Sequence, residues 1–414
     1  MSVVVTGNPA RGGPLARAVP ARWRSRLTRG TTPGRLRLAL IGLVAASLAW
    51  GALAGFTVSE YSSAATGVVT TSEPLTLDAQ QIYHDLSDAN DAEATAFLVG
   101  GLQPRKLVNR YNADVKAASA AIERATALGG GSPDLATLSA DLPAYADEIG
   151  TARAVARLGY PLGAAYLREA SNQMNASLLP AAQRLYNADN AKLTATSAEG
   201  TGLPLMLVTI VAGLALGYAL YRTSRWLTRR TNRVLNPGLV AAGLAGLISL
   251  VWLAVAFGGA YFDLQSARTG GSVPVQALAQ ADIVALQAHA DESLTLIDNS
   301  GDDQYQTDFL ARRRSLGPGS GTLLDAAVSA SAGTPAAGAV SAAAGHAAAW
   351  NQAHAKLRRA DDSGDHATAV KSALGVLGPD DAGREFAGFS ADMMTAINDG
   401  QAAFAASASA GGNM

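Results

Sequence analysis

His84, Asp85, Asp88 and Asp91 fall close together, and the three aspartates step by three. On a helix that step keeps side chains on one slowly drifting face, from which carboxylates could hold a cation or an amine. His289, Asp291 and Glu292 form a similar group farther on. Both groups read as solvated acidic faces. His346 and His354 are eight apart and do not make the HExxH spacing of a zinc protease. The chain has no cysteine, which removes disulfides, a thiol nucleophile and the usual zinc and iron–sulfur ligands. No glycine-rich phosphate loop and no Ser/His/Asp order stands out. The expectation is a chain with no catalytic residue, no cofactor and no metal, hence not an enzyme. The arginines offer a different chemistry. Arg105, Lys106 and Arg110 open one expected helix, and Arg312, Arg313 and Arg314 sit in its counterpart. A guanidinium fork suits carboxylate capture, so these six are candidates for contact with an acidic ligand or partner. The alternative is ordinary surface charge pairing.

The elements around these residues are set by apolar runs and by sorted charge. Leu38–Val58, Leu203–Tyr221 and Leu239–Phe262 carry no charge. At about 1.5 Å per residue each can cross a hydrocarbon core of about 30 Å. Arginines flank them. Residues 1–37 hold eight and no acid, and the turn after the second run holds Arg222, Arg225, Arg229, Arg230 and Arg233 and no acid. All 33 acidic residues lie in the two long segments outside these regions. Cytoplasmic loops are the Arg/Lys-rich ones, so the tail and turn should lie inside and the long segments outside. The basic residues are then explained by topology, and nucleic acid is not an expected partner. The expected organisation is a basic cytoplasmic tail (1–37), a span (38–58), a helical bundle (59–202), a span (203–221), a basic cytoplasmic loop (222–238), a span (239–262) and a second helical bundle (263–414). The chain would be a multi-pass plasma-membrane protein with its N-terminus inside and its C-terminus outside.

Shifting the chain by 200 residues aligns Tyr61 with Tyr261, Pro74 with Pro274, Gln80 with Gln280, Leu86 with Leu286, Asp91 with Asp291 and Thr95 with Thr295 without gaps. This reads as a duplication. Each outer segment shows helical periodicity and no strand signal. Breaks fall at Gly100-Gly101, at 129–133 and at 159–161, and in the second copy at 317–319, 361–364 and 378–379. The fold class is therefore all-α, with two up-down four-helix bundles outside the membrane. Gly200, Gly202 and Pro204 interrupt the join between the first bundle and the second span. They read either as a hinge or as a plain membrane boundary.

Membrane helix, outer four-helix bundle and membrane helix together resemble the sensor half of bacterial chemoreceptors and sensor kinases. The tandem copy, the Arg-rich tail, Asp91-Ala92-Glu93-Ala94 and Ala290-Asp291-Glu292 resemble more closely the actinobacterial GlnX-type membrane relay family. That resemblance implies a non-enzymatic relay. It would couple outside amino-acid (Glu/Asp/Gln) availability, through a solute-binding lipoprotein, to a cytoplasmic Ser/Thr protein kinase. The family layout includes a fourth span, which would follow the second bundle. Here Met414 stands instead, so either that bundle hangs from one span or the sequence is truncated. The rival expectation is an accessory or structural envelope protein of an amino-acid ABC transporter. The ligand and the oligomeric state, homo-oligomer included, stay open.

Overall fold

A computed structural model describes residues 32–67, 73–129, 131–200, 203–231, 237–267, 273–298, 303–317 and 319–411. Every regular element among them is helical. The chain divides into two compact units: 1–59 with 203–254, and 60–202 with 255–414.

The first unit takes its helices from α1 (Thr32–Gly67), α7 (Leu203–Thr231) and α8 (Pro237–Ala267). Two stretches are long and apolar enough to cross a bilayer, Arg37–Glu60 and Leu207–Trp226. In α8 the apolar stretch among the described residues is the shorter Val240–Val255. Such helices associate through close packing and hydrogen bonds, since lipid supplies no hydrophobic drive. The Trp50 indole N–H donates to the Thr209 carbonyl at 2.9 Å, and the Thr57 and Thr209 hydroxyls meet at 2.9 Å. A Cβ on Gly213 would stand 2.9 Å from Trp50 and from Leu250. The missing side chain at Gly213 is therefore what seats the indole. Gly51, Gly55 and Gly217, which share the same four-residue spacing, face open space.

The second unit begins its helices with α2 (Glu73–Val99), α3 (Arg105–Gly129), α4 (Pro133–Arg157) and α5 (Leu162–Gln173). A π-helical turn (Met174–Leu178) joins α5 to α6 (Leu179–Gly200). After α9 (Val273–Ile297) come α10 (Gln304–Leu316), α11 (Leu323–Ser331), α12 (Ala337–Asp362), α13 (His366–Ala373) and α14 (Ala382–Gly411). Gly100, Gly159, Gly317 and Gly364 break the helices with positive φ, a backbone state that L side chains disfavour. Thr322 and Asp365 accept from the third backbone N–H of α11 and α13, the usual cap for orphan donors.

The two long segments do not stand apart as separate bundles. They form one unit in which α2 and α9 pack side by side in the same direction: residue 84 meets 282, 87 meets 287 and 91 meets 289. One apolar cluster joins Ile82, Leu86, Leu138, Tyr145 and Leu178 with Ile283, Leu294 and Tyr305 from the second segment. Each of the two helices thus has neighbours on nearly every side. The alanines at 79, 89, 92, 94 and 96 are fully buried, and small residues let the surrounding helices approach.

Candidate functional site

The acidic groups are not solvated faces. Asp85, Asp88, Asp91 and Glu93 on α2 and Asp282, Asp291 and Glu292 on α9 are all buried. The composition reading fails because it assigns charge to water by default, whereas here other helices supply the counter-charge. Ionised groups removed from water must be paired or shift their pKa, and six pairs do this. Arg110 of α3 binds Asp88 and lies 3.7 Å from Asp91, and Arg153 of α4 binds Glu93. Arg312 of α10 binds Asp291, and His354 of α12 lies 2.6 Å from Glu292. The other two pairs cross between the helices: His84 to Asp282 at 3.2 Å, and His289 to Asp91. Gln287 also donates across to Ser87 at 3.1 Å.

Ring packing fixes both buried histidines. His289 stacks on Phe386 with centroids 3.8 Å apart, and His354 stacks on Phe309 at 3.7 Å. The Trp350 indole N–H donates to Glu292 at 3.1 Å. Arg153 also sits over the Tyr111 ring, 4.3 Å from its centroid, which adds a cation–π attraction. Arg312 reaches past α9 to Asn175 in the π-helical turn, at 3.1 Å. Such turns project side chains out of the regular helical order, and this one offers an acceptor to the other segment.

The seam shifts several protonation equilibria. Burial opposes charge on His84, but hydrogen bonds to Asp282 and Asp85 and the charges of Asp282 and Asp88 outweigh it, and its pKa is raised to about 10. Burial likewise opposes charge on His289, and Asp91 and Glu292 overcome it, so its pKa is also raised. Burial raises Asp291 to about 7 despite the charge and hydrogen bond of Arg312. Burial, with Asp88 adding to it, raises Asp114 to about 8.

A cleft of about 640 Å³ opens on this seam. His84 and Asp88 of α2, Lys106 and Arg110 of α3, Asp282 of α9 and Met394 of α14 are among its lining residues. Lys106 is exposed there and makes no ion pair among the described residues. The cleft can therefore offer a cation to an anionic group, beside carboxylates that are already engaged.

The six candidate cations separate. Arg110 and Arg312 are internal clamps, and Lys106 faces the cleft. Arg105 is exposed at the start of α3, Arg313 is half-buried, and the exposed Arg314 donates to the Leu310 carbonyl at 3.1 Å. Arg153, His84 and His354 were not singled out for these roles by their spacing. One usable signal was the parallel placement of Arg110 after Asp91 and of Arg312 after Asp291. Arg222 and Arg225 are exposed on α7, Gly200 ends α6, and Pro204 is the second residue of α7. The side chains of Arg229 and Arg230, and all of Arg233 and Gly202, lie outside the described residues. Among the described residues no group of His, Asp and Glu is arranged to hold a metal ion. No curated protein matches the chain, and no solved structure does. Residues 64–198, about a third of the chain, match the family described as Actinobacterial sensor domain, which supports a sensing role for this protein.

Proposed function

We propose that the protein is a non-enzymatic transmembrane sensor whose moving part is the α2–α9 seam. α1, α7 and α8 are the three spans, the basic tail and turn face the cytoplasm, and the helical unit lies outside. The stimulus is amino-acid (Glu, Asp or Gln) availability, delivered by a solute-binding lipoprotein, and the output is read by a cytoplasmic Ser/Thr kinase. The observation that carries this reading is the set of buried ion pairs between and around two parallel helices, opened to solvent at one cleft. Buried pairs hold a few discrete arrangements, because breaking one leaves an uncompensated charge at a cost of about 3–5 kcal/mol. Packed helices shift between such states by about 1–2 Å. The chain passes between its two units at 59/60, 202/203 and 254/255, so a shift of the seam has covalent routes to every span. The sensor-family match over 64–198 supports the sensing part of the reading.

Hydrogen exchange of the full-length protein in lipid nanodiscs tests it. Glutamate, aspartate, glutamine and a loaded solute-binding protein are added in turn. Changed protection in α2 and α9 is the expected result. Binding that leaves both helices unchanged would refute the seam, and no response to any of the four would refute the amino-acid stimulus.

A further inference from the structure

A cleft of about 660 Å³ opens where the second long apolar stretch, Leu207–Trp226, ends. Tyr218, Tyr221, Arg222, Arg225 and Trp226 of α7 form one side, and Ala39 of α1 contributes to the other. The α7 residues follow at steps of three and four, so they share one face. Ala39 lies near the start of Arg37–Glu60. The cleft thus joins the beginning of one apolar stretch to the end of the other. Twenty residues of α7 cover roughly the 30 Å of a hydrocarbon core, which puts Trp226 at its edge and Arg222 and Arg225 within about 6 Å of it, a depth from which long cationic side chains snorkel to the headgroups.

The charge there is uncompensated. The unit made of residues 1–59 and 203–254 contains no Asp or Glu. Among the described residues, Arg225 Nη1 donates to the Tyr221 hydroxyl at 3.3 Å, and neither Arg222 nor Arg225 has a carboxylate partner. The counter-anion must therefore come from outside this unit. One and two turns deeper than Arg222, Tyr218 and Leu214 are exposed. A ligand that covers both levels joins an anionic group to a hydrocarbon chain.

We propose that this cleft binds an anionic phospholipid. Arg222 and Arg225 hold its phosphate, a pairing that guanidinium geometry favours. Tyr221 and Trp226 sit at the interfacial level that aromatic residues prefer, and Tyr218 and Ala39 flank an acyl chain. Basic clefts between membrane helices are suited to such headgroups.

The test uses the full-length protein in nanodiscs of phosphatidylcholine with and without phosphatidylglycerol, and native mass spectrometry counts the lipid retained on release. Phosphatidylglycerol should be retained over phosphatidylcholine. The Arg222→Gln/Arg225→Gln variant should hold it about thirtyfold more weakly, the factor for about 1 kcal/mol per arginine. The Arg229→Gln/Arg230→Gln/Arg233→Gln variant should hold it nearly as well as the wild type. Far-UV circular dichroism checks folding, and Arg222→Lys/Arg225→Lys, which keeps the charge, should retain part of the binding. Three results overturn the site: equal loss in the triple variant, equal retention of phosphatidylcholine, or displacement by inorganic phosphate alone.

Discussion

Glu93 and Arg105 mark two extremes of what one charge can mean. Glu93 is fully buried and held by Arg153, whose side chain is itself largely buried. Arg153→Met should strand that carboxylate and lower the stability of the unit made of 60–202 and 255–414 by about 3–5 kcal/mol. Arg105→Ala, at an exposed position, should change it by less than about 0.5 kcal/mol. Chemical unfolding of the full-length protein followed by far-UV circular dichroism compares them, and equal effects would refute the pairing. Two pH dependences follow with opposite signs. The His84 pKa is raised from 6.5 to about 10. Its stabilising contribution is complete below 6.5 and is lost as pH rises through 10. The stability gap between the wild type and His84→Gln should therefore close across that window. The Asp291 pKa is raised from 3.8 to about 7. The folded state then binds the proton more tightly than the unfolded state, so stability falls as pH rises from 3.8 through 7. Asp291→Asn should remove that fall. A gap that widens toward pH 10, or a fall that survives in Asp291→Asn, would reverse the assignment.

Helices were the most legible elements. Gly100-Gly101, Gly159-Tyr160-Pro161 and the break at 317–319 announced their ends. The seam was not legible, because α2 has one apolar line, Leu75, Ala79, Ile82, Leu86 and Ala89, and its acids fall on the faces that such a line leaves to water. Alanines and aspartates alternate around it, which fits a solvated helix as well as one surrounded by partners, and only the fold supplies the partners. This has a consequence for the first outer segment alone. Residues 60–202 without the second segment lose His289 from Asp91, Gln287 from Ser87, and the apolar contacts of Ile283 and Leu294. Expressed alone, the segment should be helical but melt broadly and at lower temperature than the full outer unit. A sharp transition at the full unit's temperature would show that the seam adds no stability. The junction at Gly200, Gly202 and Pro204 makes a separate prediction. Gly costs about 1 kcal/mol in a helix against Ala, and Pro204, in the first turn of α7, has no backbone N–H with which a helix could run on through the join, so changing all three to Ala should stiffen it. If a cytoplasmic kinase reads the protein as proposed, its output should then lose or alter its response while the protein reaches the membrane in normal amount. An unchanged dose–response curve would leave this stretch as a membrane boundary only.

At the scale of the whole molecule, charge follows the division into units. Thirteen arginines and no acids lie in residues 1–37 and 222–236, and every acid lies in the segments 58–202 and 263–414. Interior pairing accounts for part of that acid, since α2 and α9 keep theirs beside Arg110, Arg153 and Arg312. It does not account for the complete absence of acid from residues 1–37 and 222–236, where an aspartate would cost no stability in a soluble loop. Membrane insertion does account for it. An arginine carried to the centre of a spanning helix costs about 2.5–3.5 kcal/mol on insertion scales, and five together in one short turn oppose translocation strongly. Cytoplasmic loops accumulate such residues for this reason. Reporter fusions after Gly67, at Asn232 and after Gly333 should therefore read outside, inside and outside. The middle fusion is the decisive one. If Asn232 reports outside, the basic turn has crossed, the seam lies on the cytoplasmic side, and an extracytoplasmic stimulus has no path to it. If Asn232 reports inside but Gly333 also reports inside, α8 does not span. The second half of the seam would then be separated from the first by a membrane, which the contacts of His84 with Asp282 and of Asp91 with His289 forbid. The paired helices thus require the same side for both long segments, and the fusion at Asn232 reports which side that is.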